Sequence, residues 1–133
     1  MIKQIEDIEY IKLLEFYVLY QNELPTRYST FISSKLLNEE LMKPNSLALG
    51  LYKNKNLVGF ILGYGEHELF NFNSMYVDKK YRYYVKQFLN DTEKYIKTLG
   101  YKGWLALSVT EQSNKMFLHY KAKPVEIKYY KEL

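Results

Sequence analysis

This chain is poor in the residues that bind transition metals, and it has no thiol nucleophile. The sequence contains no cysteine and only two histidines, His67 and His119. Without thiols, disulfide frameworks, thiolate catalysis and cysteine-ligated zinc are excluded. Two imidazoles are also a poor basis for a transition-metal site, so no metal is expected. The chemistry that remains is proton transfer and binding by carboxylates, lysines, backbone groups and the fifteen tyrosines.

The densest group of candidate binding residues lies between positions 79 and 87. Arg82 is one of two arginines in the chain, and a guanidinium can bind a phosphate through paired hydrogen bonds. It stands among lysines and tyrosines just before an amphipathic segment. The same basic and aromatic mixture is typical of platforms for single-stranded nucleic acid. A solvated basic loop is the third interpretation, and these residues alone leave it open.

A second group of candidates lies on a predicted strand. Side chains alternate between the two faces of a strand, so His67, Asn71, Asn73, Met75 and Val77 are predicted to share one face. Because an imidazole exchanges protons near neutral pH, His67 is a candidate general base. A plain surface histidine is the alternative.

Length and composition indicate the class of protein and the number of domains. The chain has 133 residues, of which 47% are hydrophobic and 26% charged, with a net charge of +4. These values are typical of a single globular domain over 1–133. So small a positive charge argues against nucleic acid as a partner. Because no apolar run approaches the ~18 residues of a membrane span, we expect a cytoplasmic protein that does not insert into membranes.

The spacing of apolar residues predicts ten secondary-structure elements. Pro25, Pro44 and Pro124 separate several of them, and Gly59 and Gly63 predict close backbone approach or a bulge. The predicted helices cover 8–23, 26–42, 84–99 and 113–120, and the predicted strands cover 1–6, 46–52, 57–65, 69–77, 104–109 and 125–130.

The order of these elements is therefore β-α-α-β-β-β-α-β-α-β. The short turn at 53–56 makes its two strands an antiparallel hairpin. The helix at 84–99 is long enough to cross over between two parallel strands. We predict an α/β (α+β) fold in which helices flank a mixed, mostly antiparallel sheet.

In this order of elements and in two motifs, the chain resembles the GNAT superfamily of acyl-CoA-dependent N-acyltransferases. The first motif is Met75-Tyr76-Val77-Asp78-Lys79-Lys80-Tyr81-Arg82, before the helix that ends at Leu99-Gly100-Tyr101. The second runs from Ser113 or Asn114 to Tyr120. The resemblance implies a GNAT-like fold and the transfer of an acyl group from acetyl-CoA, or another acyl-CoA, directly to a primary amine.

The resemblance also implies where coenzyme A would bind. Backbone N–H groups of Met75 or Val77 would hold the thioester carbonyl, and the start of the helix at 84–99 would hold the diphosphate. The family pattern there is Arg or Gln, two residues, Gly, one residue, and Gly or Ala. Arg82 matches this pattern, whereas Val85 and Gln87 replace the small residues. The implied cofactor-binding residues are Met75, Val77, Arg82, Tyr83, Tyr84, Val85, Lys86, Gln87 and Asn114.

For catalysis, the resemblance implies that Tyr120 protonates the departing thiolate. Counting from Ser113 gives the family spacing, whereas counting from Asn114 leaves it one residue short, and a packed aromatic residue is the alternative. Many family members carry a glutamate as base at the position of Asn73. His67 is therefore the substitute candidate on the same predicted face.

Two functions remain open at the level of sequence. The first is an N-acetyltransferase that acts on a small-molecule or protein amine. The second is a GNAT-fold binding or structural module without tight coenzyme binding, which Asn73, Val85 and Gln87 favour. In either case, the tyrosine-rich surface could bury against a second copy to form a homodimer.

Overall fold

The computed structural model describes residues 2–23 and 30–106, together with residues 122 and 131. Within these ranges, three α-helices surround one sheet, and none of these helices is long and apolar enough to cross a membrane. The strands are β1 (Ile2–Gln4), β2 (Ser46–Lys53), β3 (Asn56–Glu66), β4 (Leu69–Val77) and β5 (Gly103–Ala106). The helices are α1 (Tyr10–Asn22), α2 (Thr30–Leu41) and α3 (Val85–Thr98), with 3-10 helices at Asp7–Glu9 and Lys79–Tyr84.

The sheet confirms the predicted fold class. Its strands lie in the order of the chain, and β1 to β4 pair antiparallel. β4 and β5 pair parallel, and α3 is the crossover between them. β4 has the predicted bounds, and α3 is shorter than its prediction by one residue at each end. The predicted helix at 113–120, the predicted strand at 125–130 and the end of the strand at 104–109 lie outside the described residues.

Helices cover both faces of the sheet. α1 and α2 pack on one face around Phe16, Leu37 and Phe60. α3 packs on the other face, where Phe88 contacts the cluster that contains Ile61 and Val77. Because β3 is buried on both faces, its sequence is an almost continuous apolar run.

β4 contains a β-bulge at Asn73. In the register with β3, Ser74 is opposite Leu62 but Phe72 is opposite Gly63, so Asn73 has no partner residue on β3. The extra residue shifts the alternation of side chains by one position. Ser74 therefore faces α2, while Phe72 and Met75 both pack on the α3 face.

The predicted common face of His67, Asn71, Asn73, Met75 and Val77 is therefore wrong. Asn71 precedes the bulge and falls on the opposite face from Met75. His67 lies in the turn before β4, with a φ of 56°. At ~3.3 Å per residue, the ten residues from His67 to Val77 span roughly 30 Å. His67 is thus too far away to serve as a base for chemistry at the end of β4.

We predict that Gly63→Ala destabilises the fold by about 1–3 kcal/mol, because overpacking forces neighbouring atoms to move. A Cβ at Gly63 would lie 2.6 Å from the ring of Phe70 and closer still to the carbonyl oxygen of Asn71. Urea unfolding measures the loss. In the control variant Gly103→Ala, the nearest atom is the flexible Leu69 side chain at 3.3 Å, so the loss should be smaller. Equal losses in the two variants would contradict crowding at the bulge.

Candidate active site

The second half of β4 presents two backbone N–H groups away from β3. The N–H of Asp78 donates to the carbonyl oxygen of Val58 at 2.8 Å, and alternate residues of an antiparallel strand direct their backbone groups the same way. The N–H groups of Met75 and Val77 therefore point to the opposite edge. The described part of β5 pairs with Leu69–Phe72 on that edge. Two such donors can stabilise a carbonyl oxygen that gains negative charge.

On the α1–α2 face of the same segment, a carboxylate meets the bulge. Glu40 lies near the end of α2 and is half-buried. Its Oε1 accepts a hydrogen bond from Ser74 Oγ at 3.0 Å, and its Oε2 accepts one from the hydroxyl of Tyr17. The side chain of the bulge residue Asn73 lies close enough to this carboxylate to lower its pKa. Glu40 was not among the residues predicted from the sequence, because only the fold brings α2 to β4.

The surroundings of Glu40 make it an unusual carboxyl group. Burial raises its pKa, whereas hydrogen bonds from Tyr17 and Ser74, the nearby Asn73 side chain and the positive charge of Lys43 act in the opposite direction. Burial also raises the pKa of Tyr17, and the hydrogen bond to Glu40 raises it further. Burial and the negative charge of Glu40 raise the pKa of Tyr20 to about 12. Both phenols near the carboxylate, Tyr17 and Tyr20, therefore stay protonated at neutral pH.

α1 contributes two further polar groups beside this carboxylate. The hydroxyl of Tyr20 donates to the carbonyl oxygen of Asn73 at 3.3 Å. The side chain of Gln21 is buried and hydrogen-bonds to Tyr17, but its Oε1 has no partner among the described residues. A buried acceptor without a donor costs folding free energy. A ligand with an N–H group would remove that cost.

The segment predicted to hold a diphosphate is a 3-10 helix, Lys79–Tyr84, that runs directly into α3. Asp78 caps it: its Oδ1 accepts from the N–H of Lys80 at 3.2 Å, and its carbonyl oxygen accepts from Tyr81 at 2.8 Å. The N–H of Val85 donates to the carbonyl oxygen of Arg82. The backbone N–H groups of Lys80, Tyr81 and Val85 are therefore bonded within the chain and not free for a phosphate.

This helical start explains why Val85 and Gln87 replace small residues. Val85 has φ −56° and ψ −43°, which are ordinary helical values that need no glycine. Its side chain packs against the core on the α3 face, and Gln87 is exposed. Neither residue is forced into a strained backbone conformation, because the left-handed turn that would require glycine is absent at this point.

Arg82 is held by α1 and β4. Its Nη2 donates to Glu23 Oε1 at 2.8 Å, and its Nε donates to the carbonyl oxygen of Val77 at 3.1 Å. The hydrogen bond with Glu23 is the main reason that the pKa of Arg82 is raised. The two side chains are 41% and 47% exposed, so the ion pair stabilises the fold by no more than ~1 kcal/mol. A phosphate group could therefore compete with Glu23 for this guanidinium.

The aromatic residues of the same segment do not line up as a platform. Tyr81 and Tyr84 pack against the core on the α3 face. Tyr83 is 72% exposed, with its ring centroid 4.3 Å from that of Tyr84. The ammonium of Lys53 lies 3.4 Å from the centroid of the Tyr84 ring. Successive bases would thus find one exposed ring rather than a row of them.

Two of the predicted site residues, Tyr120 and Asn114, lie outside the described residues, so their roles stay predictions. Lys86 is exposed at the start of α3. Among residues 2–23 and 30–106, no three histidine, aspartate or glutamate side chains are grouped as metal ligands.

Replacing Glu40 with glutamine should change how stability depends on pH. Because folding raises the pKa of Glu40 above its ordinary 4.5, the unfolded state ionises first and folding loses free energy as pH rises above that value. The variant lacks this titration, so its stability relative to the wild type should increase with pH. Urea unfolding between about pH 5 and about pH 8 measures it, with the exposed neighbour Glu39→Gln as the control for lost charge. If the stability of Glu40→Gln relative to the wild type stays constant or falls as pH rises, the expectation is contradicted.

Comparisons with known proteins place this arrangement among known folds. No protein-family model and no curated protein matches the sequence. A GNAT family acetyltransferase from Staphylococcus aureus is 15% identical, with a TM-score of 0.69 over 100% of this chain and 98% of its own. A ribosomal-protein-alanine N-acetyltransferase from Brucella melitensis is 19% identical, with a TM-score of 0.72 over 100% and 97%.

A third solved structure holds a ligand. It is AAC(6′)-Iy in complex with the bisubstrate analogue CoA-S-monomethyl-acetylneamine, 12% identical, with a TM-score of 0.69 over 100% of this chain and 97% of its own. Similarity at such low identity is similarity of architecture. The chain therefore has the fold of the GNAT acetyltransferases, as the order of its elements predicted.

Proposed function

We propose that this chain transfers an acyl group from acyl-CoA to a primary amine. The observation that carries the proposal is the edge of β4 opposite β3, where the N–H groups of Met75 and Val77 point away from β3 beside the bulge at Asn73 and no described strand pairs with them. In a fold shared with GNAT acetyltransferases, this edge is suited to hold the carbonyl oxygen of a thioester. Acetyl-CoA is the simplest donor of that class.

The residues at the two ends of this edge fit different parts of such a donor. The N–H groups of Met75 and Val77 fit the thioester. A bound thioester would supply the activated acyl group. At the other end, the bonded amides of the 3-10 helix do not form a free backbone cradle. The charge of a diphosphate would be met there by side chains, namely Lys79, Lys80 and Lys86, and by Arg82 once it leaves Glu23.

The chemistry asked of the protein is positioning and proton transfer. The N–H groups of Met75 and Val77 stabilise the oxygen on which negative charge develops. Tyr120 is the proposed acid for the departing sulfur. Direct attack by the amine needs no nucleophile from the protein, which agrees with a chain that has no cysteine.

The proposed function can be tested by mixing the protein with acetyl-CoA and a set of primary amines and following thiol release. Because the chain contains no cysteine, every thiol detected comes from the coenzyme. We expect release that depends on the amine, and heat of acetyl-CoA binding in calorimetry. Absence of both with millimolar acetyl-CoA and with every amine class would refute the proposal and leave a non-catalytic module.

The ion pair between Arg82 and Glu23 gives a second prediction. Arg82→Ala should weaken acetyl-CoA binding about tenfold at low salt, the loss of ~1.4 kcal/mol expected for one charge-assisted contact. Glu23→Gln should strengthen it by up to about fivefold, since the guanidinium is released from a pair worth ~1 kcal/mol at most.

Calorimetry measures both affinities. Glu15→Gln is the matched control, because it breaks the exposed pair between Lys12 and Glu15 on α1 and should leave the affinity unchanged. Unchanged binding in Arg82→Ala would exclude Arg82 from the coenzyme site. Weaker binding in Glu23→Gln would show that the pair supports the site rather than competing with it.

A further inference from the structure

We propose that Glu40 is the general base of this reaction and that the acceptor reaches the site as a primary ammonium ion. The inference rests on the proposed function, because an amine that arrives as an ammonium ion must lose a proton before its nitrogen can attack the acyl group. Glu40 accepts a hydrogen bond from Ser74, the residue immediately before Met75, and the Asn73 side chain lies near the same carboxylate.

The carboxylate is therefore next to the proposed carbonyl-binding group. Neighbouring Cα atoms are ~3.8 Å apart, so Ser74, which donates to Glu40, adjoins the N–H of Met75. The bulge is what makes this possible, since it directs Ser74 to the α2 side while Met75 packs on the α3 side. An amine that approaches the thioester carbon from the α1–α2 face would pass the Glu40 carboxylate.

Glu40 has room to accept a further hydrogen bond. An ionised carboxylate offers about four acceptor sites, and the hydroxyl groups of Tyr17 and Ser74 take two of them. The side chain is half-buried rather than enclosed, so part of it stays exposed to solvent. The buried Oε1 of Gln21, unpartnered within the described residues, is a second acceptor in the same cluster.

The charges around Glu40 favour a cation. From α1 it faces the neutral hydroxyls of Tyr17 and Tyr20, and from β4 it faces the neutral side chains of Ser74 and Asn73. Lys43 is the positive group that acts on its pKa, and the Lys43 ammonium lies over the ring of Tyr64, 4.4 Å from the centroid. A half-buried carboxylate gains from a nearby cation with several N–H donors. An ammonium ion meets this requirement, whereas an alcohol or an anionic acceptor does not.

Glu40 takes one proton from the ammonium, which frees the nitrogen lone pair to form the C–N bond. As the C–S bond breaks, its electron pair stays on the sulfur. The nitrogen then loses its second proton, and the sulfur gains one proton. Glu40 then releases its proton to solvent, so that one proton is released for each amide formed.

Glu40→Gln tests the inference, with Glu39→Gln as the matched control on the exposed side of α2. We expect kcat/KM for a primary alkylamine to fall about 10²–10⁴-fold, with acetyl-CoA affinity unchanged in calorimetry. The fall should be much smaller with hydroxylamine, which is already uncharged at neutral pH. Glu39→Gln should keep wild-type activity.

The outcomes separate this inference from the function on which it rests. If the wild type releases no thiol with any amine, both fail. If the wild type is active and Glu40→Gln keeps the same rate and pH profile, only the assignment of Glu40 fails. An equal loss with alkylamine and hydroxylamine would also overturn it, because a structural defect does not distinguish the charge of the acceptor.

Ser74→Ala provides a second test if Glu40→Gln does not fold. It keeps the carboxyl group but removes a hydrogen bond that favours the charged form. The acid side of the kcat/KM profile should therefore move to higher pH. If Ser74→Ala folds and the acidic limb of its kcat/KM profile does not move, the proposal is overturned.

Discussion

The bulge in β4 is the constraint on which the arrangement of this site depends. One extra residue, Asn73, reverses the alternation of side chains between the two halves of the strand. As a result, Ser74 reaches Glu40 on the α2 side while Met75 packs on the α3 side. Gly63 allows the strands to approach at this point, since a side chain there would collide with Phe70.

The cluster around Glu40 then follows from how two helices pack on that strand. A half-buried carboxylate is unfavourable unless donors surround it, and here the donors come from α1 and β4, while the carboxylate comes from α2. Three elements that are distant in sequence are thus held together by one charged group. Packing alone would be served as well by an apolar residue at position 40, so the cost of retaining a carboxylate points to a role in binding or proton transfer.

The sequence predicted those structural features that are determined by short-range patterns. Apolar spacing predicted α3 and β4 closely, because each has a regular period and clear ends. The assignment of His67 as a base failed because strict alternation was carried through an unseen bulge, although Gly63 indicated that one could be present. Glu40 could not be found in this way, since its contact with Ser74 joins residues 34 positions apart. The 3-10 helix at Lys79–Tyr84 also has no strong local signal.

Arg82 connects the two ends of the site through α1. Its partner Glu23 follows the last turn of that helix, where a negative charge is unfavourable because the helix dipole is also negative there. The guanidinium offsets this repulsion, and the same turn carries Tyr20 and Gln21, which face the Glu40 cluster. A diphosphate that drew Arg82 away would leave Glu23 uncompensated at the end of α1. If this chain binds a diphosphate as proposed, its affinity at the start of α3 and the packing at the end of α1 would be coupled through this exposed ion pair.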